Sequence, residues 1–243
     1  MIPKIIHYCW FGRNPLTPLA QKCIASWRTF LPDYEIREWN EDNFDVNSIP
    51  YTAETYKVGK YAFVSDYARF WVLYKYGGVY FDTDVEVIRP MDDVLEKGAF
   101  MGFELLGKRV VVAPGLGLAA EPGMPLYKEI LTRFESMSFC LPDGSFNPWT
   151  MIPMVTELLT QNGLSGDGTV EHVAGVDIYP PEWFTPYDDL TGRLRKTQNT
   201  HTIHWFAKSW MEPEPMWQTI IKRMFRRVFG KNVLAELRSF LKK

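Results

Sequence analysis

The stretch from residue 64 to residue 88 limits what this chain can fold into more than any other. Val64 to Tyr76 has the apolar spacing of a helix, Gly77-Gly78 stops it, and Val79-Tyr80-Phe81-Asp82-Thr83-Asp84-Val85-Glu86-Val87-Ile88 follows at once as a β-rich run. Read as a single strand, the run points Asp82 and Asp84 to one side and Thr83 to the other. Two neighbouring carboxylates beside Val79, Tyr80 and Phe81 repel each other and resist burial unless a cation compensates them. Hard divalent ions such as Mn²⁺ or Mg²⁺ take oxygen ligands and keep room for waters and substrate phosphates, so the pair is a candidate metal site. On the preceding helix, Asp66 and Arg69 are three residues apart and share a face, which adds two charges near the same sheet edge. A plain surface ion pair is the alternative for these two, although Phe63, Val64, Phe70 and Trp71 around them argue against full exposure.

The rest of the chain supplies a frame for that unit. Lys4 to Trp10 reads as a buried first strand, Leu19 to Phe30 as a helix with Leu19, Cys23, Ile24, Trp27 and Phe30 on one face, and Tyr34 to Trp39 as a second strand. Strand character returns at Val110-Val111-Val112 and at Thr202-Ile203-His204-Trp205-Phe206, helices fit 125–137 and 151–162, and Pro114 to Gly117 reads as loop. Strands alternating with helices predict an α/β fold with a mainly parallel central sheet, whose ligands lie beyond the carboxyl ends of the strands. With 243 residues and 46% hydrophobic content the chain can bury one large core. One domain over 1–215 is expected, followed by a basic, amphipathic helical extension over 216–243.

Charge separates these two parts. Residues 216–243 carry eight Lys or Arg against Glu236 alone, leaving 19 basic and 28 acidic residues before them, so the body should repel nucleic acid. In the extension, Trp217, Ile220, Ile221, Met224, Phe225, Val228 and Phe229 alternate with Lys222, Arg223, Arg226 and Arg227, and a second helix fits Val233 to Leu241. Such a helix either lies on an anionic membrane surface or packs its apolar side on the body with its charges solvated. Cys9, Cys23 and Cys140 have no metal-binding spacing and are expected as buried, reduced thiols. With neither a signal-peptide pattern nor a long apolar span, the chain is expected in the cytoplasm, with peripheral contact at the inner face of the cytoplasmic membrane through the extension.

Taken together, Ile2-Pro3-Lys4-Ile5-Ile6-His7 with Trp10 and Gly12, Ser65-Asp66 with Arg69, and Gly77-Gly78-Val79-Tyr80-Phe81-Asp82-Thr83-Asp84 resemble the DXD-containing glycosyltransferase family 32. That family includes yeast Golgi mannosyltransferases and bacterial capsule enzymes, and it is similar to the glucosyltransferase domains of large clostridial toxins. The resemblance is dense over 1–95 and returns at His204-Trp205-Phe206-Ala207-Lys208-Ser209-Trp210. It implies a GT-A-like, single Rossmann-type nucleotide-sugar-binding domain and a retaining hexosyl transfer from a nucleotide sugar, UDP-linked rather than GDP-mannose. The implied acceptor is a saccharide or lipid-linked oligosaccharide, as in capsular and other surface polysaccharide synthesis.

Position by position, the resemblance implies that Trp10, with Tyr8 beside it, meets the donor's base, and that Asp66 and Arg69 hold its ribose and sugar. It implies Asp84 as a direct ligand of Mn²⁺ or Mg²⁺, Asp82 as a partner through water or ribose, and His204 as the third ligand, with His201 as competitor. Lys208, Ser209 and Trp210 would close over the diphosphate. Trp10 as plain core packing remains the alternative, and Asn147, Trp149, Trp183 and Tyr187 are further aromatic or polar candidates for the acceptor. Two other classes stay open. A metal-dependent nucleotidyl or phosphoryl enzyme also uses paired aspartates, but the chain has no GxxxxGK[ST] loop. A non-catalytic carbohydrate-binding module suits the aromatic content but gives Asp82, Asp84 and Arg69 no task.

Overall fold

A computed structural model describes residues 1–107, 109–147, 150–207 and 215–230. In chain order the elements are β1 (Ile5–Cys9), α1 (Pro18–Phe30), β2 (Glu35–Trp39), α2 (Pro50–Lys57), α3 (Tyr61–Tyr76), β3 (Gly78–Tyr80) and β4 (Val85–Val87). Then come α4 (Asp92–Leu95), β5 (Phe100–Leu106), β6 (Arg109–Val112), a 3-10 turn at Pro114–Leu116, β7 (Leu118–Ala120), α5 (Pro125–Glu135) and α6 (Met151–Gln161). The last are β8 (Glu171–Val173), β9 (Val176–Tyr179), α7 (Pro181–Phe184), β10 (Tyr187–Asp188), β11 (Arg193–Leu194), β12 (Thr202–His204) and α8 (Met216–Phe229). Among the described residues, no helix is long and apolar enough to cross a membrane.

The main sheet has the order β2-β1-β3-β7-β5-β9-β8, with β6 beside β5. β1 pairs parallel with β2 and β3, and β5 pairs parallel with β9, while β7 runs antiparallel between β3 and β5. Thus β1, β2, β3, β5 and β9 share one direction, and the α/β class with a mainly parallel central sheet is observed. Helices cover both faces. Ile6, Tyr8, Val79 and Phe81 pack with Cys23, Ile24 and Trp27 of α1, whereas Cys9 and Tyr80 point to the opposite cluster with Val64, Phe70 and Leu73 of α3. Alternation along β1 and β3 therefore sorts side chains between two cores.

The first unit follows the sequence closely. Thr17 caps α1 by accepting the Ala20 N–H at 3.1 Å, and Cys23, Ile24 and Trp27 are buried as the helical spacing requires. α3 starts three residues earlier than expected and ends at Gly77. Gly78 must be glycine: its φ is +103°, and a Cβ there would lie 2.5 Å from the Ile5 carbonyl oxygen on β1.

The run from Val79 to Ile88 is not one strand. It breaks after Tyr80, turns through Asp82-Thr83-Asp84 with the Val85 N–H donating to the Asp82 carbonyl at 3.0 Å, and resumes as β4. The cause is pairing. β3 stays in the main sheet while β4 leaves it to pair antiparallel with β12, more than a hundred residues later in the chain. Cys9 and Cys23 are buried free thiols as expected, but Cys140 is only half-buried.

Candidate active site

Two elements meet at the turn that carries the aspartates. α1 fixes β4 through the Trp27 indole N–H, which donates to the Val85 carbonyl at 2.8 Å, and through Ser26 Oγ, which accepts the Val87 N–H at 3.0 Å. β12 then lies against β4 with His204 opposite Val85, and the Trp205 N–H donates to the Asp84 carbonyl at 3.0 Å. This brings ligand atoms of Asp82, Asp84 and His204 within 4.8 Å of one another, the only such cluster among the described residues. The two carboxylates converge because a turn folds them together, not because a strand alternates.

Asp84 is buried and faces His204, with Nε2 3.2 Å from Asp84 Oδ1. Burial works against both charges, yet His204 holds the Asp84 carboxyl below its ordinary range, and Asp84 holds the imidazole above its own. The Ala207 N–H donates to Asp84 Oδ2 at 2.7 Å. That contact depends on Phe206, a bulky residue held at φ +52°, a left-handed conformation that turns the chain back toward Asp84. His204 Nδ1 is buried with no hydrogen-bond partner among the described residues. Two carboxylates and an imidazole whose Nδ1 is buried without a partner among the described residues are a donor set that fits a divalent cation, which would compete with the His204–Asp84 contact.

Asp82 belongs to a second, connected network. The Arg69 guanidinium lies 3.2 Å from Asp82 and 3.0 Å from Asp66, donates through Nε to the Ser65 carbonyl at 3.0 Å, and sits 4.9 Å over the Tyr80 ring. Arg69 is only 3% exposed, so the pair is no surface contact. Burial opposes its charge, but Asp82, Tyr80 and Asp66 hold it firmly protonated. Burial pushes the Asp66 carboxyl up to about 7 against the pull of Arg69, and the charge on Asp82 adds to the rise. Cys9, at the end of β1, adjoins the same group, its thiol pushed up to about 12 by burial.

The other candidates are distributed as follows. Trp10 stands one residue beyond β1, at the sheet edge that carries Asp82, half-buried, with its indole N–H donating to the Asn14 carbonyl at 2.6 Å. Tyr8 packs edge-on against Trp27 and donates its hydroxyl to Glu38 at 2.6 Å. His201 is not brought to the cluster: it is fully buried, stacked on Trp183 at 5.1 Å, with Nε2 2.8 Å from Asp93. Lys208, Ser209, Trp210 and Trp149 lie outside the described residues. Trp183 is occupied by His201, and Tyr187 packs on Trp205 at 5.3 Å.

Residues 18–101 match the family model described as glycosyltransferase sugar-binding region containing DXD motif. That stretch, from α1 to the start of β5, holds Asp66, Arg69, Asp82 and Asp84 and is similar to the sugar-binding region of DXD glycosyltransferases. Inositol phosphoceramide mannosyltransferase 3 of Schizosaccharomyces pombe is 31% identical to it over 107 residues, 41% of this chain and 29% of that protein. Mannosyl phosphorylinositol ceramide synthase CSH1 of Saccharomyces cerevisiae is 31% identical over 109 residues, 42% of this chain and 28% of that protein. The chain thus spans under a third of the length of these relatives. The solved PaToxG glycosyltransferase superposes with a TM-score of 0.49 at 18% identity, covering 66% of this chain and 69% of that one. A glycosyltransferase involved in glycosylation of the major capsid of PBCV-1 gives 0.49 at 9% identity over 85% and 95%.

At this cluster, three contributors escaped the sequence. Tyr80 donates its hydroxyl to Asp82 at 3.1 Å. Glu86 accepts from the Trp205 indole at 2.8 Å and pairs with Lys22 at 2.7 Å, tying β12 to β4 and α1. Gly115, in the 3-10 turn, lies so close to Asp82 that a Cβ would sit 2.3 Å from its carboxylate. Of these, only Tyr80 had a local signal, its position two residues before Asp82.

Proposed function

We propose that the chain transfers a hexose from a nucleotide-sugar donor to a saccharide or lipid-linked saccharide acceptor, with retention at the anomeric carbon and dependence on Mn²⁺ or Mg²⁺. The observation that carries the reading is the convergence of Asp82, Asp84 and His204 within 4.8 Å in a chain whose residues 18–101 match the DXD sugar-binding region of glycosyltransferases. A divalent ion held there would supply Lewis-acid stabilisation of the departing diphosphate.

The chain's own residues do the rest. Asp84 and His204 are fixed by β4 and β12, so the ligand geometry is set before substrate arrives. Arg69 is a positioning residue: it spans Asp66 and Asp82 from inside the core, holding Asp82 toward the metal and Asp66 toward a donor hydroxyl. Trp10 offers an aromatic face for the donor base, worth about 1–3 kcal/mol by analogy with base stacking. No covalent nucleophile is assigned; the leaving diphosphate oxygen would take the acceptor's proton on the same face. Lys208, Ser209 and Trp210 complete the diphosphate side in this reading.

A UDP-sugar donor is proposed from the sequence resemblance, and GDP-mannose is the second reading, favoured by the mannosyltransferase names of the relatives. The test is hydrolysis of a panel of UDP- and GDP-sugars with added Mn²⁺ or Mg²⁺, comparing the intact chain with Asp84→Ala. We expect slow turnover of one donor, abolished by chelator and lowered by about 10²–10³-fold in the variant. No turnover together with no metal-dependent nucleotide binding would overturn the reading in favour of a carbohydrate-binding module.

A further inference from the structure

α8 has an unusual orientation. Two of its arginines face the body: the Arg223 guanidinium donates to the Asp189 carbonyl at 3.1 Å and to its carboxylate at 3.0 Å, and Arg227 donates to the carbonyls of Thr191 at 2.6 Å and Gly192 at 3.2 Å. These acceptors lie in the turn between β10 and β11. With that side of the helix taken, the apolar stripe turns to solvent: Trp217, Ile220, Ile221, Met224 and Val228 are between 50% and 73% exposed. This is the reverse of a terminal helix that buries its apolar side on the body. Five large apolar side chains on one exposed helix face are a surface suited to a partner.

We infer that α8 and the adjoining β11 segment form a docking surface for an anionic lipid bilayer, entered by the apolar stripe. Charge selects this occupant. α8 contains no acid, and while Arg223 and Arg227 are engaged with the hairpin, Arg193, Arg195 and Lys196 beside it are all exposed. A second copy seated on this face would set one cationic rim against another. The chain's own 231–243 segment carries Lys231, Arg238, Lys242 and Lys243 against Glu236, so it is also like-charged. Lipid phosphates complement such a rim, while Trp, Ile, Met and Val side chains enter the acyl boundary, as interfacial helices do.

Position gives the surface a purpose. Arg223 lies 5.7 Å over the Tyr187 ring, Tyr187 packs on Trp205 at 5.3 Å, and Trp205 directly follows His204. A bilayer under α8 would therefore lie close to the DXD cluster, which favours a lipid-borne acceptor at the inner face of the cytoplasmic membrane. Only this last point rests on the sugar-transfer reading; the docking surface does not.

The test is flotation of the full chain with phosphatidylcholine vesicles, with and without added phosphatidylglycerol. Wild type should float with the anionic vesicles, and Ile221→Asp/Met224→Asp should reduce that partition by about tenfold or more without changing donor hydrolysis in solution. Arg195→Glu/Lys196→Glu, on the hairpin and away from the stripe, should weaken anionic binding by a smaller factor and guards against misfolding of the first variant. No flotation, equal flotation with neutral vesicles, or equal flotation of the stripe variant would overturn the proposal. So would light scattering showing that wild type is a dimer that the stripe variant dissolves. Vesicle binding with neither donor turnover nor metal-dependent nucleotide binding would leave the docking surface standing and remove the transferase reading; the reverse result would do the opposite.

Discussion

Arg69 and Arg223 both pair with aspartate, yet they hold the molecule in different senses. Arg69 is 3% exposed, anchored by α3 at one end and by two carboxylates from α3 and the DXD turn at the other. The Arg223 side chain is 29% exposed and its partner Asp189 20%, and it joins a terminal helix to a short hairpin. Water can replace the second interaction at little cost, whereas the first is harder to replace, because removing the guanidinium strands Asp66, only 14% exposed, and leaves Asp82 without its counter-charge. The same ion pair is thus part of the core in one region and a detachable fastening in the other.

The sharpest way to break the comparison is Arg69→Met. Leaving Asp66 and Asp82 without their counter-ion should cost about 3–5 kcal/mol in urea unfolding, the range for breaking a buried pair from one side. If the loss were as small as that of a surface pair, Arg69 would have to be more hydrated than its burial allows, and its role in setting the site would fall with it.

That network also marks how far the sequence could be read. The i,i+3 spacing linked Asp66 to Arg69, and the density of the motif around Asp82 and Asp84 pointed to a metal, because those signals are local. Local pattern failed at Tyr80–Val85, where an unbroken β-rich run conceals a turn. The break is imposed by β12, a partner far along the chain, and nothing in the run itself records it. The same holds for β7, a three-residue strand of Leu and Ala that reverses direction between β3 and β5, and for β9, which is too short to show a period. α2 was missed because its apolar face is interrupted by Thr52 and Thr55, both buried with their hydroxyls on helix carbonyls. His204 was found through a resemblance and His201 was its rival; burial against Trp183 and Asp93 is what separates them.

A subtler test asks whether the site network can be disturbed without disturbing the core. Gly115→Ala does this. The new methyl would sit 2.3 Å from Asp82 Oδ2 and 3.4 Å from Arg69 Nη1, so the carboxylate must move while no buried backbone lies in the way. Metal affinity should fall about tenfold, the effect expected when a group that orients a ligand is lost, measured by Mn²⁺ titration. Urea stability should change by under about 1 kcal/mol. Equal affinity for Mn²⁺ would mean that Asp82 does not need its present position to serve the metal.

The smallest global effect should come from Arg223→Ala. A part-exposed pair contributes about 0–1 kcal/mol, so urea unfolding of the whole chain should barely shift. The change should instead be local: amide hydrogen exchange in α8 should accelerate, because the helix loses one of two arginines that clamp it to the β10–β11 turn while most of its apolar side is exposed. Exchange in α3 and around Asp84 should stay as slow as in wild type. If Arg223→Ala lowered global stability as far as Arg69→Met, α8 would be continuous with the core, and its outward apolar stripe would need a partner within the folded body instead of a membrane.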